Sequence, residues 1–323
     1  MDIFRIRISA ANSFCSPIQS DTLFGSFCWA LRYIKGENIL KDFINDCVEG
    51  KPPVVFSNAF PAGYMPKPLM GENKKRWADD LSKAEKRKKY TDQKRLKKIE
   101  FISVNSFNEM VLGRGHSGKG IKTKHSVLQT VTHGNLVNRH TGTVGSEDEK
   151  EAGLFERHEF FPIRDFEIYA GVEKGWQEVF ANIVTHQCRL GIGADRSAGK
   201  GIFEAKNIEK YNGFSMPDNP DAVVMISNYI PRADDPSDGN YNTIVKYGKL
   251  GMEYASSEMP FKKPLIMITP GAVFRTRDIR KIYGRAVSNV SGIDKGIIHC
   301  GFSLAIPMSV SDISHEKGGA HSA

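Results

Sequence analysis

The sequence predicts an α+β fold whose two halves share a mostly antiparallel sheet core. Three observations carry that prediction. Strand-like alternation opens and closes the chain: Phe4, Ile6 and Ile8 against Arg5 and Arg7 at the start, and Cys300, Phe302, Leu304 and Ile306 at the end. Apolar residues at helical spacing follow the first strand, at Leu23, Phe24, Phe27, Cys28, Leu31 and Ile34. The spacing recurs at Trp176, Val179, Phe180, Ile183, Gln187 and Leu190. The 323 residues suffice for one large or two moderate cores. The patterning divides them into 1–210 and 211–310, with 311–323 reading as a disordered tail.

The first strand, Ile3 to Ser9, is amphipathic, and its two arginines suit either a nucleic-acid contact or solvation. The following helix, about Asp21 to Ile34, starts at Ser20 or Asp21, either of which caps a helix N-terminus. Its first-turn amides therefore open near Ser16, Gln19 and Ser20, where they attract phosphate. Lys51 to Pro68 is rich in Pro, Gly and aromatics and reads as an extended connection with a short strand at Val54 to Ser57. Residues 72–100 hold twelve Lys and Arg against six acids, a +6 excess within a chain of net charge +8. With only Trp77, Leu81 and Ala84 as a weak helical stripe, this segment reads as a mobile, solvated insertion.

Gly113 to Gly120 is a turn carrying Arg114, His116 and Lys119. The stretch Lys122 to Thr143, with His125, His133, Asn135, Asn138, Arg139 and His140, offers few core residues. A hairpin of such side chains suits backbone and base contacts to single-stranded RNA. Residues 145–151 form an acidic tip, and Phe160 to Tyr169 returns as a strand. In the second half, Ala222 to Ile230, Leu265 to Thr269 and His299 to Met308 read as strands, with room for another in Tyr241 to Glu253; a second α+β sandwich follows. Arg275, Arg277, Arg280, Lys281 and Arg285 cluster after a strand, as a second RNA or subunit surface or a solvated loop.

The most chemically pointed segment is Gly191-Ile-Gly-Ala-Asp-Arg-Ser-Ala-Gly-Lys-Gly201. Four glycines allow positive φ and close approach to a partner. Successive N–H groups beside an Arg and a Lys make a cationic concavity suited to phosphate. The order is helix, glycine loop, strand, which is the reverse of a nucleotide P-loop. Gly201 also stands where a P-loop would place its Ser or Thr. The near-match from Gly113 to Lys119 is followed by Gly120 and by no amphipathic helix. A nucleotide triphosphate site is therefore not expected. Asp195 reads as a turn-former that orients Arg196.

This helix–G-x-G-x-x-R-S-x-G-x-G–strand element resembles the signature loop of the RAMP superfamily, the ferredoxin-like RNA-binding subunits of CRISPR effector complexes. The stretch from Ser16 to Tyr33 resembles the family's first strand–helix junction, and Phe56 to Pro68 is similar to a segment of one branch. Val137 to Thr143, followed by Gly153-Leu154-Phe155, resembles its thumb. Together they are similar to the family of fourth Csm subunits of type III-A complexes, over about residues 1–310. The resemblance implies two ferredoxin-like (RRM-type) domains. The first, 1–210, carries the basic insertion at about 72–100 and a thumb hairpin at about 120–160; the second is 211–310.

It further implies a subunit that holds the 5′ repeat-derived tag of the crRNA and caps the complex without turnover. Its implied neighbours are a large polymerase-like signalling subunit and a backbone RAMP subunit. The implied RNA contacts are Ser16, Gln19 and Ser20; Gly191, Gly193, Ala194, Asp195, Arg196, Ser197, Ala198, Gly199, Lys200 and Gly201; and His133, Asn138, Arg139, Thr141 and Thr143.

The gross properties agree. A pI near 9.1 favours a polyanionic partner. The five cysteines form no C-x-x-C pair, which points to reduced thiols in a cytoplasm and to no metal site. No run reaches the length of a membrane span, and no signal peptide is read at the start. No cofactor is expected. The alternative is a metal-independent endoribonuclease that processes precursor crRNA with a histidine as general acid or base. His116, His125, His133 and His140 are its candidates, and their spacing marks no catalytic pair.

Overall fold

The computed structural model describes residues 1–71, 82–115, 120–121, 126–135, 137, 142, 144 and 154–310. In chain order the first half holds β1 (Asp2–Ala10), α1 (Ser20–Lys35), α2 (Glu37–Val48), β2 (Val54–Phe56), β3 (Phe60–Pro61) and β4 (Tyr64–Pro66). α3 (Lys83–Lys97), β5 (Phe101–Ser103), α4 (Val104–Val111), β6 (Val127–Asn135), β7 (Leu154–Pro162), β8 (Phe166–Val172), α5 (Gln177–Leu190) and β9 (Phe203–Lys210) follow. The second half holds β10 (Ala222–Met225), β11 (Gly239–Asn240), β12 (Thr243–Lys246), β13 (Leu265–Ile268), β14 (Val273–Arg275), β15 (Ile282–Val287) and β16 (His299–Met308).

The first sheet runs β2–β8–β1–β9, antiparallel throughout, with β3 also pairing with β8. Read along the chain, β1, α1, β2, β8, α5 and β9 make a β-α-β-β-α-β unit. Phe4, Ile6 and Ile8 face the two helices and are buried, with Phe4 against Phe180 of α5 at 5.6 Å. The opposite face of β1 is neither free for a ligand nor simply solvated. Arg7 donates to Glu167 at 2.6 Å and Arg5 donates to Glu209, while Glu167 itself is buried. Both arginines are held by cross-strand carboxylates.

The second sheet runs β11–β14–β10–β16–β15. Residues 211–310 contain no α-helix, so this half departs from the second α+β sandwich expected from its strands. Helices of the first half supply the cover: α1 and α4 pack on β16, and α2 packs on β15. One apolar core therefore runs through both halves, from Ile6 and Phe27 to Phe302 and Ile306. Two Ser-Asn pairs stitch the seam. Asn58 Nδ2 donates to Asn228 Oδ1 at 3.1 Å, and the Asn228 amide donates to Asn58 Oδ1 at 3.2 Å. Ser227 Oγ donates to the carbonyl of Phe56 at 2.8 Å. These groups are buried and hydrogen-bonded, as buried polar groups must be.

The basic insertion, expected as a mobile, solvated segment, contains the helix α3. Ser82 and Glu85 form a capping box, with the Ser82 amide donating to Glu85 at 2.9 Å and the Glu85 amide donating to Ser82 Oγ at 3.3 Å. Lys, Arg, Gln and Leu then propagate α3. Its expected stripe residues Trp77 and Leu81 lie outside the described residues, as do the acidic tip and the tail.

Candidate nucleic-acid interface

Three segments converge beside the first sheet: the end of β1 with residues 11–16, the glycine loop between α5 and β9, and the β6–β7 hairpin. The loop closes on itself through the Ile192 amide, which donates to the carbonyl of Gly201 at 2.8 Å. Gly201 in turn donates to the carbonyl of Ser13 at 2.9 Å. Two positions require glycine. At Gly193, φ is 96° and a Cβ would run into Ser16 Oγ; at Gly201, φ is 71° and a Cβ would run into the carbonyl of Ile192. The close approach at Gly193 lets the Ala194 amide donate to Ser16 Oγ at 3.1 Å, fixing the loop to the entrance of α1.

Asp195 adopts the left-handed conformation, and its carbonyl accepts from the amides of Ala198 and Lys200 at 3.0 and 3.2 Å. It is thus the expected turn-former, but its carboxylate orients a different arginine: Oδ2 accepts from Arg157 Nε at 2.9 Å, across on β7. The amides of Gly193, Asp195, Arg196 and Ser197 have no acceptor among the described residues. They are four donors left open within five residues of the loop.

The two cations of the loop differ. Lys200 Nζ donates to Glu159 of β7 at 2.8 Å and to Ser13 Oγ at 2.9 Å. Glu159 is buried and also accepts from Ser13 Oγ at 2.6 Å and Thr132 Oγ1 at 3.1 Å. These donors, Lys200 foremost, hold its carboxyl down at about 2. Arg196 has no acidic partner among the described residues. Its aliphatic stem covers Gly191, and its guanidinium lies against Gly251 and near Trp29, with only the Gly191 carbonyl as acceptor, at 3.5 Å. Burial lowers its pKa, so the loop presents a partly desolvated guanidinium without a counter-charge.

Of the other expected site residues, Ser16 is at the loop as described. Gln19 caps α1 without a side-chain bond to the helix and instead accepts from Lys246. Ser20 is buried; its amide donates to Asn58 Oδ1 at 2.9 Å and its hydroxyl meets Asn228, so it belongs to the seam and turns no group outward. His133 lies on the hairpin 3.8 Å from Glu156, on the face opposite Arg157 and Glu159. Asn138, Arg139, Thr141 and Thr143 lie outside the described residues, as do His116, His125 and His140. Arg157 was not among the sequence candidates, since it falls within a strand with nothing around it to single it out.

Within the second cationic cluster, Arg280 is neutralised by acids. Arg280 reaches Asp234, Asp235 and Asp278 at 3.3, 3.2 and 3.0 Å and stacks on Tyr283. It lines a cavity of about 370 Å³ with Lys51, Glu173 and Arg232.

The segment that holds β1, α1, α5 and the glycine loop also matches a family model. The RAMP superfamily model covers residues 6–204, well over half of the chain. The chain belongs to the RAMP superfamily. No curated protein sequence matches it. Solved structures share this RAMP chain's fold over nearly its full length. One is a chain of the crystal structure of a Csm1–Csm4 cassette in complex with cA4, at 16% identity and a TM-score of 0.61, covering 96% of this chain and 99% of that one. Another is a chain of the crystal structure of the Csm3–Csm4 subcomplex in the type III-A CRISPR-Cas interference complex. It matches at 13% identity and a TM-score of 0.58, covering 96% and 100%. Among the described residues no helix is long and apolar enough to cross a membrane.

Proposed function

We propose that this RAMP protein is the RNA-binding subunit that holds the 5′ repeat-derived tag of the crRNA and caps a type III-A CRISPR effector complex, acting in the cytoplasm without turnover. The observation that carries the reading is the loop itself. Within residues 193–197 of a RAMP glycine loop, four amides lack an acceptor and one arginine lacks an acid among the described residues, a donor set matched to phosphate oxygens. The amides of Gly193, Asp195, Arg196 and Ser197 and the Arg196 guanidinium hold phosphates, Ser16 keeps the loop at the helix entrance, and Lys200 braces it. Asn138, Arg139, Thr141 and Thr143 contact the same RNA from the hairpin side.

The full-length fold match to chains from Csm1–Csm4 and Csm3–Csm4 structures supports two protein neighbours. They are a large signalling subunit of the Csm1 kind and a backbone RAMP subunit of the Csm3 kind. Absence of turnover is favoured by the one described candidate, His133, which faces away from the loop and pairs only with Glu156.

The test is incubation of end-labelled repeat-tag RNA with the protein in EDTA, resolved on native and denaturing gels. The reading expects retarded, full-length RNA, with retardation weakened by Arg196→Ala. A shortened product that disappears with a His→Ala change would assign the chain to precursor processing.

A further inference from the structure

One face of the hairpin points at the glycine loop, and it does not end at the ion pairs. Side chains alternate along β7, so Phe155, Arg157, Glu159 and Phe161 share a face with Gly134, Thr132, Thr130 and Leu128 of β6. Glu159 lies buried beneath Lys200, and Arg157, one step along the same face, reaches Asp195 of the loop. Phe155 is the next step, about 6.6 Å further from the loop. Its ring crosses to Gly134, where a Cβ would meet three ring atoms within 3.0 Å. The Arg157 guanidinium stacks over the ring at 5.5 Å from its centroid. Phe155 as a whole remains 38% exposed.

A phenyl ring open to solvent offers a π-face on which a flat group can stack. Here it is fixed by a cross-strand glycine and a stacked guanidinium rather than sunk in the core. It stands one residue pair beyond the loop whose donors suit phosphate. We infer that Phe155, with Arg157 stacked on it, is a platform for one unpaired nucleobase of the RNA strand whose phosphate the glycine loop binds. Every base has a π-face and stacks on aromatic rings and on guanidinium planes alike. Arg157 serves both partners: its Nε donates to Asp195 of the loop, and its guanidinium lies over the Phe155 ring. A backbone contact and a base contact thereby come from two elements that the Arg157–Asp195 and Lys200–Glu159 pairs hold in fixed relation.

This inference rests on the RNA-binding reading above, and its test separates the two. Single-stranded tag RNA is titrated against wild type, Phe155→Leu and Phe155→Tyr. Leucine keeps an apolar cover over Gly134 but has no π-face, so the pair controls for folding. The expected result is about a tenfold loss of affinity in Phe155→Leu, the loss of one stacked base. Phe155→Tyr should retain affinity, and the salt dependence should be the same in all three. A tag RNA with abasic sites scanned through it should show one position at which wild type falls to the Phe155→Leu affinity. Equal affinity of Phe155→Leu and wild type overturns the platform while leaving the RNA reading intact. If Phe155→Leu instead weakens only assembly with a protein subunit, the face is a protein contact and the inference fails. Absence of any RNA binding by wild type removes both.

Discussion

Lys200 and Arg196 stand four residues apart in one loop and do different work. Lys200 meets Glu159 and Ser13, so its charge is neutralised and its reach fixed. Removing it leaves a buried carboxylate with hydroxyl donors only. Lys200→Met is expected to lower stability by about 2 kcal/mol, and Lys200→Met combined with Glu159→Gln to recover most of that, because the stranded charge is then gone. Denaturant unfolding of the two single variants and the double variant checks this; additive losses would contradict the brace. Asp195 shows a similar division between backbone and side chain. Its turn-forming role follows from the residue type, whereas the partner of its carboxylate, Arg157, lies 38 positions away in sequence and is set only by the fold.

At the scale of elements, the loop depends on Gly193. A side chain there must adopt φ near 96° and displace Ser16. Gly193→Ala is expected to lose about 1–3 kcal/mol and to weaken RNA binding with it, because the Ala194–Ser16 contact opens. Gly25 is the counter-case: it sits inside α1 with nothing within 4 Å of a Cβ, so Gly25→Ala should be neutral or stabilising by up to about 1 kcal/mol. Thermal melts of both variants decide whether the loop geometry or glycine content matters.

The same contrast explains which elements were legible in the sequence. β1, α1, α5, β9 and β16 announce themselves by period, and the loop by its glycines. α2 carries a readable stripe in Leu40, Phe43, Ile44 and Cys47, but it follows α1 across the single Gly36. α4 depends on the Ser103 cap, whose Oγ accepts from the Ser106 amide at 3.2 Å within a short stretch. α3 lacks an apolar face and forms on capping and propensity. The missing helices of the second half were not legible at all, because its sheet is covered by helices encoded some 200 residues earlier.

For the whole molecule, the seam between halves makes stability depend on pH. His299 of β16 is buried 3.9 Å from Asp21 of α1, which pairs with Lys246 of β12 at 3.0 Å. Burial pushes the imidazole down to about 4 from its ordinary 6.5. The unfolded chain therefore binds this proton first, and stability falls as pH drops from 6.5 toward 4, by at most about 1.4 kcal/mol per pH unit from this one group. Glu159, held at about 2, adds its own loss only below about 4.5. Unfolding midpoints at pH 7, 5.5 and 4.5 should drop less in His299→Gln than in wild type. The chain's net charge of +8 acts at the same scale and attracts polyanions whatever their sequence. In the proposed reading, specific holding comes from the loop and hairpin.

The most direct measurement is the slope of log affinity against log salt for tag RNA in EDTA, for wild type and Arg196→Ala. Wild type is expected to bind more tightly, with a slope shallower by about 0.7 in the variant, the loss of one single-strand phosphate contact. Identical slopes and affinities would mean that the Arg196 guanidinium and its glycine loop hold no phosphate, and the proposed RNA-binding site would fall.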